Sequence, residues 1–250
     1  MRSTSTSRHA LREPGHPRHV PYSGVGTTAL AVLLVAVAAC ASEDACPRVR
    51  EPKPTIAQQI LLDPAAETFR TEAPDTFTVR FRTSAGDVVV EVYRDWAPLG
   101  ARRIYNLVRN GFYDVTRFFR VLPGFVVQFG VSGVPAIQRA WNDAPLRDDP
   151  VTHSNERGTL TFATAGPDTR TTQLFFNYGN NENLDGAGFA PIGRVIDGSA
   201  VLLRLHSGYG EFAPQGNGPD FTCMMSGGNA YLERQFERLD SIEAATIVER

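Results

Sequence analysis

Lysine is almost absent from this chain, where Lys53 stands alone against 24 arginines. Histidine, cysteine and tryptophan are also scarce, at five, three and two residues in 250. Each shortage excludes something. The formal charge is −2, and no basic stripe is present, so a nucleic-acid partner is excluded. His9, His16 and His19 all lie in the first 20 residues, which leaves His153 and His206 for chemistry farther on. Neither sits in a recognisable nucleophile or acid–base setting, and no Cys/His spacing of a metal site occurs. No phosphate-binding glycine loop or dinucleotide fingerprint follows a strand. No cofactor or metal is therefore expected. Asp148 and Asp149 form an adjacent acidic pair in a proline-flanked loop, and such pairs are read as solvated. Apart from one N-terminal stretch, there is no long hydrophobic run.

That stretch reads as a targeting segment. Arg2, Arg8, Arg12 and Arg18 precede an uncharged apolar run, Val25 to Ala39, which is short for a membrane span. Small residues just before Cys40 resemble the lipidation box of bacterial lipoproteins, with residues 1–39 as signal peptide and Cys40 as the acylated mature end. The bland alternative is an ordinary signal peptide cut after the alanines. Removing residues 1–39 would take four arginines and Glu13 and move the net charge from −2 to −5, so membrane attachment would have to come from lipid. The expected location is the bacterial cell envelope, anchored on the periplasmic or outer-membrane side, or otherwise secreted. Cys46 and Cys223 would remain, and an oxidising compartment permits a bridge between them; two free thiols are the alternative.

Residues 40–75 carry five prolines and read as a flexible tether with a helical turn near Ile56 to Leu62. The folded domain is expected over 76–250. Phe77, Val79 and Phe81 alternate with polar residues, a turn follows at Ser84 to Asp87, and Val88 to Tyr93 completes a hairpin. Pro98 opens a helix whose apolar face is Ala101, Ile104, Tyr105 and Val108, ending at Gly111. Short strands are predicted between Val115 and Phe129, at Gly158 to Ala163, Gln173 to Asn177, Ile192 to Val195 and Ile242 to Val248. Further helices are predicted at Ser199 to His206 and Asn229 to Leu239. Many short strands, few helices and Gly/Pro turns indicate a mainly β chain, a closed barrel covered by helices.

The segment from Phe118 to Gly130 stands out. It places Arg120 and Gln128 in an otherwise apolar strand pair, with no acid nearby in sequence. A buried arginine without an acceptor is costly. The guanidinium is therefore expected to face a groove in which a ligand becomes the acceptor.

Phe118-Phe119-Arg120-Val121-Leu122-Pro123-Gly124-Phe125-Val126-Val127-Gln128 resembles the cyclophilin signature. The likeness continues through Gly158 to Ala163, Ala165-Gly166-Pro167, Thr172 to Phe176 and Asn183-Leu184-Asp185-Gly186, in the family's order. It implies an eight-stranded closed antiparallel barrel capped by two α-helices, and peptidyl-prolyl cis-trans isomerase activity on proline-containing polypeptide clients, by a monomer. Arg120 then matches the catalytic arginine and Gln128 the glutamine that holds substrate backbone and steadies it. Phe125, Phe175 and Leu184 match the pocket for the proline ring, with Ala163 and Gln173 at its rim. Three positions depart from the pattern. Thr164 replaces an asparagine that acts through its backbone, Asn183 stands where a tryptophan lines the pocket edge, and Phe189 is assigned to a position that normally holds histidine. Insertions at 132–151 and 207–229 carry no assigned role. A binding module or chaperone with little turnover is the alternative function.

Overall fold

The computed structural model describes residues 46–248; the signal segment and Cys40 lie outside the described residues. Nine antiparallel strands form one sheet: β1 Thr76–Thr83, β2 Gly86–Tyr93, β3 Thr116–Arg117, β4 Arg120–Val121, β5 Val126–Phe129, β6 Thr159–Phe162, β7 Leu174–Asn177, β8 Pro191–Asp197 and β9 Ser241–Val248. Their order across the sheet is β3-β9-β1-β2-β8-β6-β7-β5-β4. Where a closed eight-stranded barrel is expected, the structure has a curled half-barrel of nine strands, and no ladder joins edge strands β3 and β4. Only Phe118 and Phe119 separate these two edges, so the chain itself crosses the seam, within about 11 Å from Arg117 to Arg120.

Period-two patterning sets which face is inside. Phe77, Val79 and Phe81 of β1 and Val88, Val90 and Val92 of β2 are all buried. Phe81, Phe129 and Phe176 meet at ring separations of 5.4 to 6.0 Å in the interior. Helix α1, Pro98–Arg109, lays Ala101, Ile104 and Leu107 on this core. A Cβ on Gly100 would lie 2.8 Å from Ile192, so glycine there lets the helix approach the sheet.

The first turn of α1 is held by an unexpected residue. Asp149 is buried rather than solvated, and its two carboxylate oxygens accept from the backbone amides of Leu99 and Gly100 at 3.0 and 2.9 Å. The same carboxylate accepts from Nη1 of Arg170, itself 1% exposed, at 3.1 Å. Asp148 stands 3.1 Å from Arg170 Nε, outside hydrogen-bonding direction. The physical reason is satisfaction of orphans: a helix start leaves unpaired N–H groups, and a buried guanidinium needs an anion.

The presumed tether is also packed. Leu61 and Ala73 are buried in the main core, with short 3-10 turns at Gln59–Leu62 and Glu67–Arg70. The turn Gln59–Leu62 packs on the first insertion, which folds as helix α2, Pro135–Asn142, and the turn Glu67–Arg70 packs on α1. Trp141 from α2 donates its indole N–H to the Leu61 carbonyl at 2.9 Å and meets the Phe69 ring edge-on at 4.9 Å. Apolar residues in a proline-rich segment were enough to dock it once a second segment supplied the complementary face.

Two helices follow β8: a short α3, Ser199–Leu202, and α4, Phe221–Gln235. Helix α4 starts eight residues before the helix expected at Asn229, because Asp220 caps it by accepting from the Cys223 amide, and Gly228 interrupts it. Cys223, in the first turn of α4, forms a disulfide with Cys46 across 177 residues of sequence. Removing both sulfurs (Cys46→Ser with Cys223→Ser) is expected to cost roughly 2–5 kcal/mol, since so long a loop is closed. Urea unfolding of oxidised wild type and the double variant checks this; coincident midpoints would refute it.

Candidate active site

The site is built on three adjacent strands. Arg120 on β4 pairs in register with Gln128 on β5, and Gln128 with Phe175 on β7. Cross-strand neighbours on one face lie about 5 Å apart, so the register alone sets these side chains side by side. Arg120 Nη1 donates to Gln128 Oε1 at 3.2 Å, and Gln128 Nε2 donates to Gln173 Oε1 at 3.0 Å. The three residues form one polar rail, of which Arg120 and Gln128 line a mainly apolar groove.

The groove has a volume of about 190 Å³. Phe125, Val126, Phe175, Leu184 and Phe189 line it together with Ala163 and Thr164. Phe189 meets Phe175 edge to face at 5.8 Å. Of the residues expected from the sequence, only Gln173 and Asn183 do not line the groove. Gln173 reaches it through Gln128, while Asn183 is exposed on the 3-10 turn Glu182–Ala187. Thr164 turns its hydroxyl back onto the Gly166 carbonyl, so its side chain shapes its own loop.

The wall carrying Leu184 and Phe189 is anchored from behind. Asp185 accepts from the Ser154 hydroxyl at 2.5 Å and from the backbone and side-chain amides of Asn155 at 2.9 and 2.7 Å. Asn155 also donates to the Phe189 carbonyl at 2.8 Å. Partial burial pushes the Asp185 carboxyl up, but the bonds from Ser154 and Asn155 outweigh it and hold the group below its ordinary value.

One expectation fails. Arg120 does have an acid: Glu211, in the second insertion, accepts from Nε at 2.5 Å and from Nη2 at 2.6 Å. Phe212 lies over the guanidinium at 5.9 Å, with the Phe125 ring at 5.8 Å. Both insertion residues escape a sequence reading because they lie 91 and 92 positions from Arg120 in a glycine-rich loop without periodicity. The one detectable signal is an acidic-aromatic pair, Glu211-Phe212, in a loop rich in Gly and Pro.

Chemically, the groove offers an apolar slot for a small ring, a cationic fork at its edge and amide groups for a peptide backbone. Neither His153 nor His206 lines it. The Cys46, Asp220 and Cys223 group, close enough to suggest a metal, has both sulfurs in the disulfide.

Fold and groove together define a mainly β chain with a small apolar groove edged by a guanidinium. Residues 78–219 match the family model described as cyclophilin type peptidyl-prolyl cis-trans isomerase/CLD. The chain is 35% identical over 133 residues to a peptidyl-prolyl cis-trans isomerase of Acinetobacter baylyi, covering 51% of this chain and 70% of that one. It is 33% identical over 136 residues to peptidyl-prolyl cis-trans isomerase B of Escherichia coli, covering 51% and 82%. A crystal structure of a cyclophilin type isomerase from Cryptosporidium parvum superposes with a TM-score of 0.51 at 21% identity, covering 70% of this chain and 99% of that one. At that identity the superposition speaks for the fold. The chain belongs to the cyclophilin-type peptidyl-prolyl cis-trans isomerase family.

Proposed function

We propose that the groove accelerates rotation about X-Pro bonds in exported polypeptides, with Arg120 stabilising the twisted amide. Amide resonance sets a rotation barrier of about 18–20 kcal/mol. At the top of that barrier the proline nitrogen is pyramidal and its lone pair is localised. A donor aimed at that lone pair binds the twisted state better than either planar state, which is the condition for catalysis. Guanidinium suits the task because it is always charged and presents its donors in a rigid plane. Gln128 holds the fork and offers its amide to the substrate backbone. Phe125, Phe175 and Leu184 receive the proline ring, and Phe189 closes the side that a tryptophan at the Asn183 position would otherwise cover.

The single observation that carries this reading is the Arg120–Gln128–Gln173 rail along an apolar groove. A site that only bound proline would have no need of a donor at the amide nitrogen. Isomerisation of an X-Pro peptide tests it, with wild type active and Arg120→Ala impaired. Equal rates, or no rate from wild type, would overturn it.

We further propose that the protein works in the bacterial cell envelope, attached through lipid on Cys40. The support is the apolar run ending in small residues and Cys40, together with a disulfide that suits an oxidising compartment. Among the described residues, no helix is long and apolar enough to cross a membrane. Because Cys46 is bridged to α4, only the span from Cys40 to Cys46 would tether the domain, at most about 20 Å of chain. The isomerase would then work close to the bilayer instead of on a long leash. Cys40→Ser should move the protein from membrane to soluble fractions; unchanged fractionation would count against the anchor.

A further inference from the structure

Arg120 has five N–H donors, and their partners divide sharply by side. Nε and Nη2 are held by the two oxygens of Glu211, and one Nη1 hydrogen is directed to Gln128. Two N–H bonds remain without a protein acceptor among the described residues, one on Nη1 and one on Nη2. Arg120 and Gln128 line the groove, but Glu211 does not. The carboxylate therefore grips the guanidinium from outside the groove lining, on the Nε and Nη2 edge. Arg120 is still mostly covered, its side chain 18% exposed.

The loop that delivers Glu211 is itself fixed. Glu211 Oε1 also accepts from the Phe212 amide at 2.9 Å. The Gly218 amide donates to the Glu211 carbonyl at 2.7 Å, and the Gly216 amide to the Phe212 carbonyl at 2.8 Å. A Cβ on either glycine would come within 2.5 Å of the Glu211 carbonyl, so the loop closes only with glycine at both positions. Phe212 stacks on Phe119 at 5.7 Å, next to the strand that carries Arg120. Asp220 then caps α4, which the Cys46–Cys223 disulfide staples to the start of the domain.

We propose that Glu211 is a positioning residue for the isomerase, fixing the Arg120 fork so that its free Nη donors point at the proline nitrogen. The proposal rests on the reading of Arg120 given above. A long arginine side chain has several rotamers, and a bidentate carboxylate selects one of them. Misplacing a catalytic group by about an ångström can cost up to 10²-fold in rate. Arg120 in turn holds the Glu211 carboxyl below its ordinary range, so the carboxylate is the charged form at neutral pH.

The test is kinetic. Glu211→Gln keeps the size of the side chain but loses the charge and the second acceptor. Expected is a fall of roughly tenfold in kcat for an Ala-Pro peptide, with the peptide Kd changed by less than twofold. Glu211→Asp, which restores the charge on a shorter stem, should recover part of the loss. Circular dichroism at the assay temperature checks that each variant is folded. Unchanged kcat in Glu211→Gln would overturn the proposal. So would an increase, because the carboxylate would then be masking the arginine. Wild-type NMR gives an arm independent of any variant. The Arg120 Nε–H resonance should remain slowly exchanging when Ala-Pro peptide binds, and its release on binding would also overturn the proposal. If wild type fails to isomerise the peptide, or Arg120→Ala matches it, the underlying reading of the site falls, and the Glu211 assignment falls with it.

Discussion

Replacing Arg120 with alanine is expected to lower kcat/KM for an X-Pro peptide by on the order of 10²-fold, about 3 kcal/mol of transition-state stabilisation. The loss should fall mainly on kcat, because the apolar slot of Phe125, Phe175 and Leu184 remains to bind the ring. Arg120→Lys should behave more like alanine than like wild type. An ammonium keeps the charge but cannot at once meet Glu211 with two bonds, Gln128 with a third and the substrate with a fourth in one plane. Protease-free NMR exchange measurements on a short Ala-Pro peptide read both quantities. A large rise in KM with kcat intact would instead assign Arg120 to binding alone.

The second large effect lies at residues that do not line the groove. Asp149→Ala should destabilise the fold by roughly 3–5 kcal/mol. Two consequences combine: Leu99 and Gly100 lose the acceptor at the start of α1, and the deeply buried Arg170 loses one of its two acidic neighbours. Asp149→Asn retains an amide oxygen for one helix N–H and should cost less. Denaturant unfolding with an unchanged m-value would read the effect cleanly. A shift below about 1 kcal/mol would mean that Asp148 and the Arg147 carbonyl, which accepts from Arg170 Nη2, carry the charge unaided.

How much of this was legible in the sequence follows from how local each signal is. Strand β1 is plain because Phe77, Val79 and Phe81 alternate over a single stretch. The polar edge of the groove is plain too, because Arg120 and Gln128 lie within nine residues and their types are unusual for a strand pair. Phe125, Phe175 and Leu184 become legible only through resemblance, since an apolar residue in a buried strand or turn is more often core than pocket. Glu211 is not legible. Its partner is distant, its loop has no period, and an acid in a Gly-rich loop ordinarily reads as solvated. Asp149 misleads for the same reason. The packing of residues 46–75 is hidden by composition: five prolines in 40–75 argue for an extended chain, and only Trp141 on α2 shows what Leu61 and Phe69 pack against. Edge pairing is equally non-local, so a sheet that curls without closing cannot be told from a barrel by strand patterns. Even α2 left a trace, with Pro135 followed by Ile137 and Trp141 at helical spacing.

An arginine with an empty side awaiting substrate has become one held by Glu211 at one edge and offered to the groove at the other. Its charge is already neutralised, so the groove should select proline peptides by shape and by the twisted amide more than by acidic neighbours.

The most direct test of catalysis, as opposed to proline-peptide capture, uses wild type alone. Exchange between the cis and trans forms of an Ala-Pro peptide is followed by NMR at a protein concentration far below that of the peptide. The account predicts exchange raised well above the uncatalysed rate, which takes tens to hundreds of seconds. Saturable binding of the peptide in the groove with exchange left at that uncatalysed rate would contradict it.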